Sequence, residues 1–117
     1  MNIKRNKYLA DILDSIACID EFTGIVKLYQ TYENNKMMQA AVERHIEIIG
    51  EATKHLIEIE PNIAISNARK IINTRNKIAH GYDEVENAEV WTIVIRHLPI
   101  LKDEVESLLG PISRIRF

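Results

Sequence analysis

The side chains with the most chemical reach in this sequence stand together in one short segment, Arg75-Asn-Lys-Ile-Ala-His80-Gly-Tyr82. Histidine is the side chain that exchanges a proton near neutral pH. Arginine stays charged and can clamp a phosphate through two parallel hydrogen bonds. An asparagine beside them orients a hydroxyl or an imidazole. Together these types meet the needs of metal-independent RNA cleavage. The 2′-hydroxyl attacks the adjacent phosphate, the histidine assists proton transfer, and the arginine stabilises charge on the phosphoryl oxygens. Lys77 within the segment and Arg69 and Lys70 just upstream are candidate contacts for RNA phosphates, so four positive charges lie between positions 69 and 77. The plainer reading of this cluster is a solvated helix face closed by a histidine that the helix dipole favours.

Helical geometry sharpens the choice. Arg75 and Tyr82 are seven apart and nearly eclipse, on the stripe of Ile71 and Ile78. Asn76 and His80 are four apart and share another face. Arg75 and His80 therefore diverge by about 140° on a regular helix. One straight helix does not point both at one small target. They converge if the helix ends or distorts near Gly81, or if two copies of the helix line one cleft. The spacing is awkward for a site within one chain and natural for a dimeric one.

Helices must position these residues. Leu9, Ile12, Leu13, Ile16 and Ile19 recur at helical spacing and predict a first helix over Lys7 to Phe22. Thr23 and Gly24 interrupt it, and Ile25 to Tyr32 reads as a short second piece with Val26, Leu28, Tyr29 and Tyr32 as its apolar mass. Asn34 and Asn35 form a turn and cap. From Lys36 to Ile59 a wide stripe (Met38, Val42, Ile46, Ile49, Ala52, Leu56) predicts a central helix packed on two sides. Gly50 inside it costs about 1 kcal/mol against alanine and could admit a close neighbour. Pro61 and Asn62 end it. Ser66 or Asn67 can cap the next helix, which Gly81 closes. Asp83 to Asn87 reads as a loop, with Asn87 as cap of a last helix through Trp91, Leu98 and Val105. Pro99 should kink that helix and Gly110-Pro111 stop it. The tail from Ser113 to Phe117 is basic and expected to be loosely held. No segment alternates with a period of two.

The chain has 117 residues, 46% apolar and 27% charged, with a net charge of −2 and a pI near 6.1. That length predicts a single domain over 1–117 that buries roughly two thirds of its unfolded surface. The composition excludes disordered and low-complexity classes. The acidic balance argues against a general polyanion binder but allows a local basic patch. A single cysteine, Cys18, excludes an internal disulfide and a cysteine-rich zinc site. No apolar run approaches 18 residues, and no apolar signal region follows the basic N-terminus. The expectation is a soluble cytoplasmic domain.

The segment Arg75 to Tyr82 resembles the R-x4-H-x-Y signature of HepT-like toxins, a branch of the HEPN superfamily. Upstream, Ala41-Val-Glu-Arg-His-Ile-Glu-Ile-Ile-Gly-Glu-Ala52 is similar to the family's second-helix block. Downstream, Val90-Trp91 and Leu98-Pro99-Ile-Leu101 resemble its closing block, so the likeness runs from about Leu9 to Val105. The resemblance implies an all-α, antiparallel four- to five-helix HEPN-type bundle that is dimeric. It also implies a metal-independent endoribonuclease toxin with Arg and His in a cleft at the dimer interface. Arg75 and His80 would be catalytic, with Asn76 their polar neighbour. Tyr82 would accept AMP from an MNT-type nucleotidyltransferase antitoxin, adding bulk and negative charge beside the RNA path. No cofactor and no metal are implied. Family members often carry a Pro-x-x-Pro-Trp-like stretch before the third helix; here Pro61-Asn-Ile-Ala-Ile-Ser66 lacks the tryptophan.

Other candidates read more plainly. Glu51 could support the site by pairing with Arg75, or be an ordinary exposed glutamate. Glu43 and Glu47 lack a histidine at metal spacing and read as a solvated face. His45, His55 and His97 read as surface or interface residues. Trp91 reads as a core or dimer contact, Tyr8, Tyr29 and Tyr32 as packing residues, and Cys18 as a small buried side chain. An alternative function is a non-catalytic HEPN module that binds and assists a small nucleotidyltransferase, and a third is a helical dimerisation domain. Only the nuclease needs Arg75 and His80 together.

Overall fold

The computed structural model describes residues 2–81 and 85–114, and every regular element among them is helical. The order is α1 (Ile3–Thr23), α2 (Tyr29–Glu33), α3 (Lys36–Ile59), α4 (Ala68–His80), α5 (Asn87–Thr92), a π-helical turn (Ile93–His97) and α6 (Leu98–Arg114). Helix α3 is central: α1 packs along one side and α4 along another, and α6 closes against α1. The fold is the all-α bundle that the periodicity predicts.

The stripes named above form the core. Leu9, Ile12 and Ile19 of α1 meet Val42, Ile46, Ile49 and Leu56 of α3, Ile71 of α4, and Val90, Ile93, Leu101 and Val105 of the C-terminal rod. Asn35 caps α3, its Oδ1 accepting from the Met38 N–H at 2.9 Å. Gly81 closes α4 at φ 72°, a left-handed conformation that glycine adopts without steric cost. Before α4, Ile63 and Ile65 turn inward, so two isoleucines fill the core there without a tryptophan.

Several expectations need correction. Helix α1 begins at Ile3, because Asn2 accepts from the Arg5 N–H at 2.9 Å and starts it a turn early. Only Tyr29–Glu33 of the second piece is helical; Ile25, Val26 and Leu28 are exposed after the Gly24 break. Asn67 occupies the cap position of α4 without a side-chain cap bond. Asn87 is the first residue of α5 and not its cap, since the Glu86 carbonyl accepts from the Glu89 and Val90 N–H groups. Pro99 produces a π turn just ahead of its ring: the Leu98 N–H reaches back to the Ile93 carbonyl, which widens the turn a proline would clash with. Gly110 breaks helical geometry at φ 78°, yet helical residues continue to Arg114. Cys18 is half-exposed and Glu43 half-buried. Burial and the neighbouring Glu47 raise the Glu43 carboxyl above its usual range. Of the C-terminal tail, residues 115–117 lie outside the described residues, as do Asp83 and Glu84 of the expected loop.

Tyr32 anchors the otherwise exposed α2 region. It is fully buried and stacks on Trp91 with ring centroids 5.0 Å apart, while Tyr29 tilts against the same indole at 6.2 Å. Its hydroxyl finds no hydrogen-bond partner among the described residues, and burial, with Glu43 behind it, holds that hydroxyl well above the usual phenol range. A buried hydroxyl without a partner costs stability, whereas the ring supplies it. Tyr32→Phe should therefore match or exceed wild-type stability, by up to about 1 kcal/mol. Tyr32→Ala should lose about 3–5 kcal/mol. Urea unfolding checks both, and a Tyr32→Phe loss above about 1 kcal/mol would show that the hydroxyl has a partner.

Candidate active site

Helices α3 and α4 come very close where a glycine faces an arginine. A Cβ built on Gly50 would overlap the Arg75 Cβ, lie 2.6 Å from Arg75 Cγ and reach the Ile71 carbonyl oxygen at 3.5 Å. Real Cβ atoms do not approach other carbons that closely. The missing side chain at position 50 is therefore the slot in which the base of Arg75 sits.

From that slot the guanidinium reaches two carboxyl or amide oxygens. Its Nη2 meets Glu51 Oε2 in an ion pair between α3 and α4, and its Nη1 donates to Asn76 Oδ1 at 3.0 Å. Arg75 Nε is buried and has no partner among the described residues. Glu51 is one residue from Gly50, so the slot and the counter-charge come from the same turn of α3. The sequence offered Glu51 either as this partner or as an exposed glutamate; in the structure it is the partner. Its other oxygen, Oε1, is 3.1 Å from His55 Nε2.

Arg75 and Glu51 sit at the edge of a cleft of about 400 Å3 between α1, α3 and α4, with Tyr8, Asp11, Arg44, Glu47 and His55 on its walls. The other basic residues face elsewhere. Arg69, Lys70 and Lys77 line a second groove of about 630 Å3 with Asn73, Thr74, Asn76 and Glu89. Lys77 is tied there to Glu89 at 3.1 Å. Burial, then the charges of Lys70 and Arg96, lower the His97 pKa. Asn76 belongs to both places: it accepts from Arg75 and lines the basic groove.

His80 is the last residue of α4 and is exposed. The helix stays regular through it, so α4 does not bend to bring Arg75 and His80 to one point. Asn76 and His80, one turn apart, share a face. Tyr82 lies outside the described residues. No group of three or more metal-ligating side chains occurs among the described residues, and none of their helices is long and apolar enough to cross a membrane. His45 bonds Ser15 Oγ at 3.1 Å, and burial, then Arg44, lowers its pKa.

One residue read from sequence as surface or interface belongs to this cluster. His55 Nδ1 shares a hydrogen bond with Glu58 Oε1 at 3.2 Å and its Nε2 lies 3.1 Å from Glu51 Oε1, while its ring stacks on Tyr8 of α1 at 4.8 Å and 13°. The signal was the spacing Glu51, His55, Glu58, which sets all three on one face of α3.

The family described as Ribonuclease HepT-like matches residues 12–108. A Methanocaldococcus jannaschii protein provisionally named as an RNase is 36% identical over 103 residues, covering 85% of this chain and 91% of that protein. A Thermococcus cleftensis protein named "Probable ribonuclease HepT" is 33% identical over 112 residues, covering 92% and 98%. No solved structure matches the chain.

The slot at Gly50 is open to test. In an ordinary helix, glycine to alanine stabilises by about 1 kcal/mol. Here overpacking, about 1–3 kcal/mol, should outweigh that gain, and Gly50→Ala should be destabilised in urea unfolding. The cost should persist in Arg75→Ala, which keeps its Cβ, and shrink in Arg75→Gly. A stabilised Gly50→Ala would show that α3 and α4 do not meet in this way.

Proposed function

Because the chain belongs to the HepT-like ribonuclease family, we propose that it is the endoribonuclease toxin of a toxin–antitoxin pair. On this reading two copies form one cleft, RNA is cut there without a metal ion, and adenylylation of Tyr82 by an MNT-type nucleotidyltransferase silences the cut. The observation that carries it is the seat of Arg75: a guanidinium anchored by the Gly50 slot, Glu51 and Asn76 is preorganised to receive a phosphate. The straight run of α4 through His80 favours two copies, since Arg75 and His80 of one chain diverge by about 140°.

The chemistry follows from these groups. His80 of one copy accepts the proton of a ribose 2′-hydroxyl as that oxygen attacks the neighbouring phosphorus. Arg75 of the other copy neutralises the charge that builds on the non-bridging oxygens. The bond to the 5′-oxygen breaks, the leaving oxygen takes a proton from water, and His80 later returns its proton to solvent, giving a 2′,3′-cyclic phosphate and a 5′-hydroxyl end. Asn76 orients the guanidinium, and Arg69 and Lys70 hold the RNA backbone. Lys77, tied to Glu89, joins them when that pair opens. In silencing, the Tyr82 hydroxyl attacks the α-phosphorus of ATP and releases pyrophosphate, and the added AMP repels RNA phosphates.

Purified protein should cleave RNA in EDTA and leave 2′,3′-cyclic phosphate ends. Arg75→Ala and His80→Ala should each lose at least about 100-fold in rate. Mixing the two inactive variants should restore about a quarter of the activity, because half the random dimers are mixed and each holds one intact site. Failure to restore activity would locate the site within one chain, and a His80→Ala variant that cuts like wild type would overturn the nuclease reading.

The silencing step has its own readout. Co-expression with the nucleotidyltransferase should add AMP, once or repeatedly, at Tyr82 by mass spectrometry, and Tyr82→Phe should stay toxic beside it. An unmodified Tyr82 would remove that step.

A further inference from the structure

We infer that His55 is a positioning residue for Arg75, acting through Glu51 and held in place by Tyr8. The inference deepens the functional reading and rests on Arg75 being the phosphate-binding arginine. Glu51 is a half-exposed glutamate with several side-chain torsions. Left alone, its carboxylate would turn into water and meet Arg75 only part of the time, as exposed pairs do.

The structure removes that freedom from the side opposite Arg75. His55 Nε2 meets Glu51 Oε1 at 3.1 Å, which leaves Oε2 aimed at the guanidinium. A carboxylate oxygen only accepts, so each ring nitrogen serves its contact only while it carries a hydrogen, and the imidazole holds Glu51 and Glu58 together in its doubly protonated form. The imidazole is itself fixed twice. Its face lies on the Tyr8 ring of α1 at 4.8 Å, and its Nδ1 is 3.2 Å from Glu58 Oε1. One guanidinium on α4 is thus oriented by a carboxylate and an imidazole on α3 and a phenol ring on α1. The side chains that meet the Arg75 guanidinium are Glu51 and Asn76, so His55 acts on it by steering Glu51.

Two readouts on the full chain separate this inference from the nuclease reading. The first needs no catalysis. In 15N–1H spectra of the arginine side chains, wild-type Arg75 should show restricted rotation of its guanidinium. Glu51→Gln should release it, and His55→Ala and Tyr8→Leu should shift it toward the Glu51→Gln position. His55→Gln, whose amide can still donate to Glu51, should keep most of the wild-type signal. An Arg75 signal that moves in Glu51→Gln but not in His55→Ala or Tyr8→Leu overturns the inference.

The second readout is a double-mutant cycle on RNA cleavage. His55→Ala should lower kcat about 10-fold with KM little changed, and should have no further effect in the Glu51→Gln background. A purely structural role would give additive losses and overturns the inference. If wild-type protein does not cut RNA, the nuclease reading fails, and the Arg75 spectrum alone still decides whether His55 positions it.

Discussion

The meeting of Arg75 with the bare backbone at Gly50 is the constraint on which the rest of the arrangement depends. Any side chain at position 50 would push α4 off α3 at the level of Arg75 Cβ and Cγ. With the slot present, the two helices close tightly enough for Glu51, one residue on, to reach the guanidinium, and for Ile71 and Ile49 to share the core below it. The packing that stabilises the bundle is thus also the packing that orients the arginine. Glycine inside a helix costs about 1 kcal/mol, and that cost is offset by the contact it permits.

Much of this was legible in the residues, for identifiable reasons. Helix α3 runs from Lys36 to Ile59 as its periodicity predicts, because an asparagine cap and a proline mark its ends. Gly81 closes α4 because only a left-handed residue fits there. Gly50 could be read as a possible close approach, since an isolated glycine in a strong helical stripe has few other uses. What it faced could not be read, because the register of α4 against α3 is a tertiary fact. The same holds for His55. Its spacing to Glu51 and Glu58 is visible along the chain, but the Tyr8 ring that fixes it lies 47 positions away.

The misreadings also have physical causes. Pro99 was expected to kink the last helix, and a π turn took up the misfit instead; both relieve the same clash, and sequence does not choose between them. Val26 and Leu28 were read as apolar mass of a second helical piece, because apolar residues near a helix usually bury. Gly24 turns the chain outward there, and Tyr32 on Trp91 supplies the packing. Arg69, Lys70, Lys77 and Arg75 read as one basic cluster along the chain, yet α4 divides them between two sides.

That division bears on how RNA would reach the arginine. The cleft on the α3 side carries Asp11, Glu47 and Glu51 against Arg44 and Arg75, an acidic balance that repels a phosphate chain. The groove on the other side carries Arg69, Lys70 and Lys77 against Glu89 and attracts one. Asn76 lines the basic groove, and Arg75 is joined to it by their 3.0 Å bond. The guanidinium must then share itself between Glu51 and the phosphate. A partly exposed ion pair is worth about 1 kcal/mol or less, whereas a charge-assisted bidentate phosphate contact in a closed cleft is stronger. On the proposed reading, Glu51 aims Arg75 before RNA arrives and is too weak to withhold it afterwards. On that reading a net charge of −2 is no obstacle, because the charges are sorted onto opposite sides of α4.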